Sequence, residues 1–149
     1  MKQEEILDYN KLCAEFLGWK YCKNDLVFNS KMDGHPSHNS VFSGWVKKEQ
    51  TYTKGVPLFV VKQNRLEIEY KRKLLYHSDW NWIFEVVEAI EKLGYYTKNE
   101  CIRNINYFNI YELENNEATF YGTDNSKKEA VVEAINQFLI WHKTNNNEK

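Results

Sequence analysis

"YHSDWNWIFEVVEAIEKLGYY", residues 76–96, can be read as a catalytic site or as a helix with its start and stop signals. His77, Ser78 and Asp79 stand in a row beside Trp80 and Trp82, so the three groups of a hydrolase triad are adjacent. A triad, however, is a convergence of side chains from separate places, and no G-x-S-x-G elbow exposes a serine anywhere in the chain. A helix start accounts for the same residues. Ser78 is expected as the N-cap, its hydroxyl accepting an amide of the first turn, with Asp79 favoured near the positive end of the helix dipole. Trp80 then falls at N2, in line with Ile83, Phe84 and Val87 on the stripe that faces a sheet. Trp82 falls at N4, near Val86, Ala89 and Leu93, where it can close on His77 as a hydrophobic staple. The helix ends at Leu93, with Gly94 at the left-handed C′ position and Tyr95 folding back towards Ile90.

The same signals recur on either side. "EEILDYNKLCAEFL" (4–17) spaces Ile6, Tyr9, Leu12, Cys13, Phe16 and Leu17 as one face of an amphipathic helix. Gly18 stops it, with Trp19 placed to fold onto Cys13 and Ala14. In "NSKKEA" (125–130), Ser126 and Glu129 have the S-x-x-E spacing of a capping box, and Val131, Ala134, Ile135, Phe138, Leu139 and His142 share the face that follows. Between the helices the period changes to two or to short apolar runs. Residues 41–47, 56–61, 65–70, 100–105, 106–113 and 117–121 read as strands, with "ENNE" (114–117) as a hairpin turn joining antiparallel neighbours. "NSKMDGHPSHNS" (29–40) has the texture of a loop or an inserted excursion. The expected fold is α+β, an antiparallel or mixed sheet layered with three helices as an α/β/α sandwich. One domain would span 1–143, with a longer inserted region at about 29–73 and a frayed polar tail at 144–149.

Three segments together carry a resemblance: "NKLCAEFLGW" (10–19), "YHSDWNWIFEVVEAIEKLGY" (76–95) and "SKKEAVVEAINQFLIWHK" (126–143). In that order they resemble the three helices of small uncharacterised tailed-phage and prophage proteins that carry the phage ABA-sandwich domain. The marks are a first helix ending in Gly18-Trp19, a Ser78-x-Trp80-x-Trp82 helix start, and a Ser126-Lys127-x-Glu129-Ala130 start whose helix ends in Trp141. The likeness covers about half the chain, chiefly helices and their caps, and the stretch at 29–73 is longer than in compact members. It implies helices on a mixed or antiparallel sheet, a phage or prophage origin, and no established catalytic role.

Composition narrows the function classes. With 42% hydrophobic and 28% charged residues in 149, the chain is too apolar for a disordered one. Twenty Lys+Arg against 21 Asp+Glu leave a net charge of −1, which argues against a general nucleic-acid binder. Cys13, Cys22 and Cys101 form no C-x-x-C pair, so reduced thiols in a cytoplasm are expected, the host's if the chain is phage-encoded. "MKQEEILDYN" lacks the apolar core of a signal peptide, and no apolar run approaches the ~20 residues of a membrane span. Aromatic residues make up 15%, ten of them Tyr, which points to a dense core, a binding face or both.

"GHPSH" places His35 and His38 three apart, with Cys22 the nearest thiol, but no second pair at ligand spacing completes a zinc site. Two solvated loop histidines explain the pattern. His142 lies on the third helix's apolar face and also in its last turn, where a ring donor can satisfy open carbonyls; the capping role is favoured. From Trp45 to Tyr76, rings alternate with bases: Trp45, Lys47, Lys48, Tyr52, Lys54, Lys62, Arg65, Lys71, Arg72 and Lys73. Single-strand binders use such mixtures, yet a solvated basic sheet edge produces them too, and Glu49, Glu67 and Glu69 dilute the charge. No phosphate-binding glycine motif occurs, and no cofactor is called for. The leading expectation is non-catalytic binding of a host or phage protein. Single-stranded nucleic-acid or nucleotide binding through 45–76 is the alternative, and an enzyme comes third.

Overall fold

A computed structural model describes residues 2–30, 38–47, 70–71, 74–113 and 118–146. In chain order its elements are α1 (Gln3–Phe16), β1 (Trp19–Ser30), β2 (His38–Lys47), β3 (Tyr70–Lys71), α2 (Trp80–Lys92), β4 (Tyr95–Ile102), β5 (Ile105–Glu112), β6 (Ala118–Asp124) and α3 (Lys127–Asn146). The chain divides into two compact units, Met1–Leu17 with Leu75–Lys149, and Gly18–Leu74, where the sequence suggested one domain with an insertion. The excursion expected from residue 29 thus begins at Gly18, directly after α1.

The unit holding the three helices is α+β, as expected. Its antiparallel sheet has the order β4-β5-β6, and α3 packs on β5 and β6, α2 on β4 and α3, and α1 on α3. Phe108, Ile110 and Phe120 fill the helix-facing side of the sheet. The stripes Ile83, Val86, Val87, Ile90 and Ala130, Val131, Ala134, Ile135, Phe138, Leu139 are buried with them. Full burial of each large member contributes about 1.5–3 kcal/mol. At Gly122 the backbone of α3 comes so close to β6 that a Cβ would overlap the Ala130 carbonyl oxygen and stand 2.8 Å from the Ala134 amide nitrogen. Nearby, the Thr123 N–H on the sheet's edge donates to Glu133 Oε2 at 2.9 Å, which occupies a donor that an edge strand otherwise leaves open.

The helix ends follow the expected chemistry with two corrections. Gly18 and Gly94 take φ of 83° and 94°, the left-handed stop that a side chain resists. At the start of α2, however, the N-cap is Asp79 and not Ser78: Asp79 Oδ1 accepts the Asn81 and Trp82 N–H groups at 2.9 and 3.4 Å. The reason lies just upstream. The amides of Ser78 and Asp79 both bond the Leu75 carbonyl, a tight turn that keeps Ser78 outside the helix, its hydroxyl donating to the Leu75 carbonyl at 3.5 Å. Every position on α2 therefore shifts by one. Trp82 becomes N3 and sets its ring edge-on to Tyr76 at 4.9 Å, while Phe84 is 49% exposed and leaves the buried stripe. At α3, Ser126 Oγ accepts the Glu129 N–H at 3.5 Å, but the return half of the capping box is made by Asp124, which accepts the Ser126 N–H at 2.6 Å.

The other unit is a sheet of order β1-β2-β3, both pairs antiparallel. Residues 41–47 lie in β2 as expected. β1 was not anticipated, and the supposed loop at 29–40 gives Asn29 and Ser30 to β1 and His38, Asn39 and Ser40 to β2. Polar residues from Lys23 to Asp25 and a register shift between Cys22 and Leu26 broke the alternation that would have marked β1. The strand expected at 56–61, most of that at 65–70 and the turn at 114–117 lie outside the described residues. β5 and β6 are antiparallel neighbours as expected. The strand read at 100–105 instead ends at Ile102 after beginning at Tyr95, and a two-residue turn at Arg103 and Asn104, φ 51° and 66°, opens β5. Such turns usually announce themselves with glycine, which this one lacks.

Asp79→Ala is expected to lower unfolding free energy by about 0.5–2 kcal/mol in denaturant titration, and Ser78→Ala by less than about 0.5 kcal/mol. Gly122→Ala should cost at least about 1–3 kcal/mol, because the overlapped atoms are backbone and cannot rotate away.

Candidate binding surfaces

His77, Ser78 and Asp79 have partners that pull them apart. The His77 backbone N–H donates to Asn10 Oδ1 at 3.2 Å, and its ring Nδ1 lies 3.0 Å from Asn10 Nδ2, so this histidine ties the start of α2 to the buried Asn10 of α1. Ser78 and Asp79 are engaged in the turn and the cap described above. Lys128 of α3 closes the same corner: its Nζ donates to the Ser78 carbonyl at 2.7 Å and lies 5.8 Å from the Trp80 ring, which stacks on Phe84. The six residues from His77 to Trp82 join three helices.

Of the basic and aromatic set between 45 and 76, only Trp45 and Tyr76 have described side chains; Tyr76 is a buried core ring, and the Trp45 ring centroid lies 5.3 Å from that of Tyr21 on β1. Lys47 pairs along the backbone with Trp19, and Lys71 with Trp45. Lys48, Tyr52, Lys54, Lys62, Arg65, Arg72 and Lys73 lie outside the described residues, as does His35, and His38 is placed by its backbone alone.

A surface that the sequence did not single out is the face of β4-β5-β6 turned away from the helices. Side chains alternate across a strand, so the register sets Tyr96 opposite Tyr111, Lys98 opposite Asn109, Glu100 opposite Tyr107, and Asn109 opposite Tyr121 on one side. Ile102 and Ile105 close one end. Tyr96 and Tyr111 stack with centroids 4.6 Å apart and planes 4° from parallel. Tyr96 is 40% and Tyr121 56% exposed, so the rings meet solvent. Lys98, the one cation placed on this face among the described residues, lies 2.7 Å from Glu100 Oε1, and this hydrogen bond raises its pKa. The signal was present in "NYFNIYEL", where both phases of the alternation carry rings; periodicity alone could not say which phase faces solvent.

No protein-family model, no curated protein and no solved structure matches this chain.

A cleft of about 800 Å³ runs between α1 and α3. Five carboxylates border it: Glu5 and Asp8 on α1, Asp124 just before α3, and Glu129 and Glu133 on α3. Tyr9, 1% exposed, is part of its wall. Burial drives the Tyr9 phenol well above its usual pKa, and pushes the neighbouring Cys13 thiol up to about 12, leaving it an inert core group.

His142 has no capping role, because α3 continues to Asn146. Its ring packs against Phe16 and Phe138 at 5.1 and 5.7 Å and hydrogen-bonds the Asn146 side chain. Burial lowers its pKa below the usual 6.5, so the folded state prefers the neutral ring. As pH falls the unfolded chain takes up its proton first; the stabilisation is whole above the unfolded pKa and is lost as pH falls through the folded one. The thermal midpoint should therefore drop more in the native chain than in His142→Phe between about pH 7.5 and about pH 5.5, and parallel profiles would refute this.

Proposed function

We propose that this chain is a phage or prophage accessory protein that acts by binding another protein, through the tyrosine face of β4-β5-β6, without catalysing a reaction. The observation that carries the reading is the charge state of that face. Tyrosine brings large, rigid contact area with a hydroxyl at its tip, a combination enriched in protein interfaces. Nucleic acid demands cations to meet its phosphates, whereas Lys98 is already neutralised by Glu100. The partner fitting this face is a protein with a neutral, polar and apolar surface. The phage setting is supported by the resemblance of the three helix segments and their caps.

A second reading, single-strand nucleic-acid binding, is favoured by the Tyr21 and Trp45 ring pair with Lys71 opposite Trp45 in the register. It sits on the Gly18–Leu74 unit, so the two readings separate by mutation. A photo-crosslinking residue at Tyr121, in the full chain in its host, should capture one protein reproducibly. With that protein purified, Tyr96→Ser with Tyr121→Ser should weaken binding by at least about tenfold at unchanged thermal midpoint. Crosslinks to nucleic acid or only to a second copy of the chain, or an unaltered affinity, would overturn the proposal.

A further inference from the structure

We infer that the chain forms a symmetric dimer in which β4 pairs with the β4 of a second copy, antiparallel and centred on Asn99. The sheet order leaves β4 and β6 as its two edges, and they are treated differently. On β6 the Thr123 N–H is taken by Glu133. β4 has no such cover. Arg103 and Asn104, both at positive φ, form a two-residue turn that makes Ile102 and Ile105 a hydrogen-bonded pair. The alternation of an antiparallel ladder then sends the amides and carbonyls of Lys98 and Glu100 to β5 and those of Thr97, Asn99 and Cys101 outward. Among the described residues none of these outward backbone groups has a partner. The side chains of Asn99 and Cys101 share the helix-facing phase with Phe108 yet are exposed, so no described helix roofs the edge there.

Charge order selects the partner and the register. When β4 meets itself antiparallel about Asn99, Lys98 of each copy stands opposite Glu100 of the other, and Tyr96 opposite Ile102. These are the non-hydrogen-bonded positions of the new ladder, where facing side chains come closest. Within one copy Lys98 Nζ already lies 2.7 Å from Glu100 Oε1; the second copy brings the same pair in reverse, so four charges alternate around the two-fold axis. Tyr96 and Ile102, 40% and 54% exposed, cover one another as an aromatic and β-branched cross-strand pair. Centring the contact on Lys98 or on Glu100 instead would set lysine on lysine or glutamate on glutamate, and like charges directly opposite are destabilising. The strand is thus complementary to itself in one register.

Pairing of this kind closes on itself at two copies, because the two-fold axis uses the same edge of both. It gives the outward amides and carbonyls of β4 the partners that an edge strand lacks, and it lays the two tyrosine faces side by side on one continuous sheet. The dimer does not depend on the partner proposed for that face. Tyr121 lies on β6, two strands from the contact, so a crosslinker there reports on that partner and not on the dimer.

The test is sedimentation equilibrium of the full chain, in reducing buffer so that the exposed Cys101 thiol stays out of the result. A strand-edge contact sits at the weak end of protein interfaces, so a species of twice the chain's mass is expected with micromolar to sub-millimolar dissociation. Lys98→Glu and Glu100→Lys, each alone, should weaken the dimer by at least about tenfold, since each sets like charges opposite one another. Their thermal midpoints should stay near the native value, because an exposed ion pair contributes little to folding. An equimolar mixture of the two single variants should dimerise again, as should the chain carrying both substitutions, since either restores opposite charges across the axis. A native chain that stays monomeric at about 1 mM, assemblies larger than dimers, single variants that associate as the native chain does, or a mixture that stays monomeric would overturn the assignment.

Discussion

The packing of the helical unit converges on one ring. Phe138 is fully buried, and its centroid lies 5.8 Å from Phe16 on α1, 5.1 Å from Tyr95 on β4 and 5.4 Å from Phe120 on β6. All three neighbours meet it at between 77° and 86°, the edge-to-face geometry in which a ring's positive rim meets a partner's negative face. Each such pair adds about 0.5–1.5 kcal/mol beyond the area it buries. A single side chain of α3 thereby holds another helix and both edge strands of the sheet, and the distances among those elements are set around it.

That convergence accounts for both surfaces. Because Phe108, Ile110, Phe120 and Phe138 fill the helix-facing side, the tyrosines of the opposite phase are free of core duty, and Tyr96 and Tyr121 are exposed. The same anchor shapes the cleft. α1 is held near its C-terminus by Phe16 and at its middle by the Asn10 contact with His77, while its earlier residues Glu5 and Asp8 border open space beside α3. Tyr9 is carried into that wall by the same helix face that buries Cys13 and Ala14.

Much of this fold is legible in local chemistry. Glycine at 18 and 94 stops helices because positive φ is cheap only for a residue without Cβ, and a reader of the sequence can find both. Ser126 and Asp79 carry caps for equally local reasons, although choosing Asp79 over Ser78 required the turn onto the Leu75 carbonyl. β1 was hidden because its polar middle and its register shift interrupt the alternation, and Arg103-Asn104 because a left-handed arginine is uncommon. The residues of the two surfaces were individually visible, but nothing along the chain brings Asp8 towards Glu129, or Tyr96 onto Tyr111.

The sequence by itself determined the three helices, their stops and the α+β class, since propensity, capping and hydrophobic period act over three to four residues. It also determined the near-neutral charge and the wealth of rings. Tertiary structure alone decided that the chain forms two units and that Gly122 gives way to α3. It alone also turned the tyrosine phase outward, where Tyr96 meets Tyr111, and buried Tyr9 in the wall of a cleft bordered by carboxylates from another helix. The physical reason is range: caps and periods are properties of neighbours in the chain, whereas a face or a cleft is made by residues that only packing brings together.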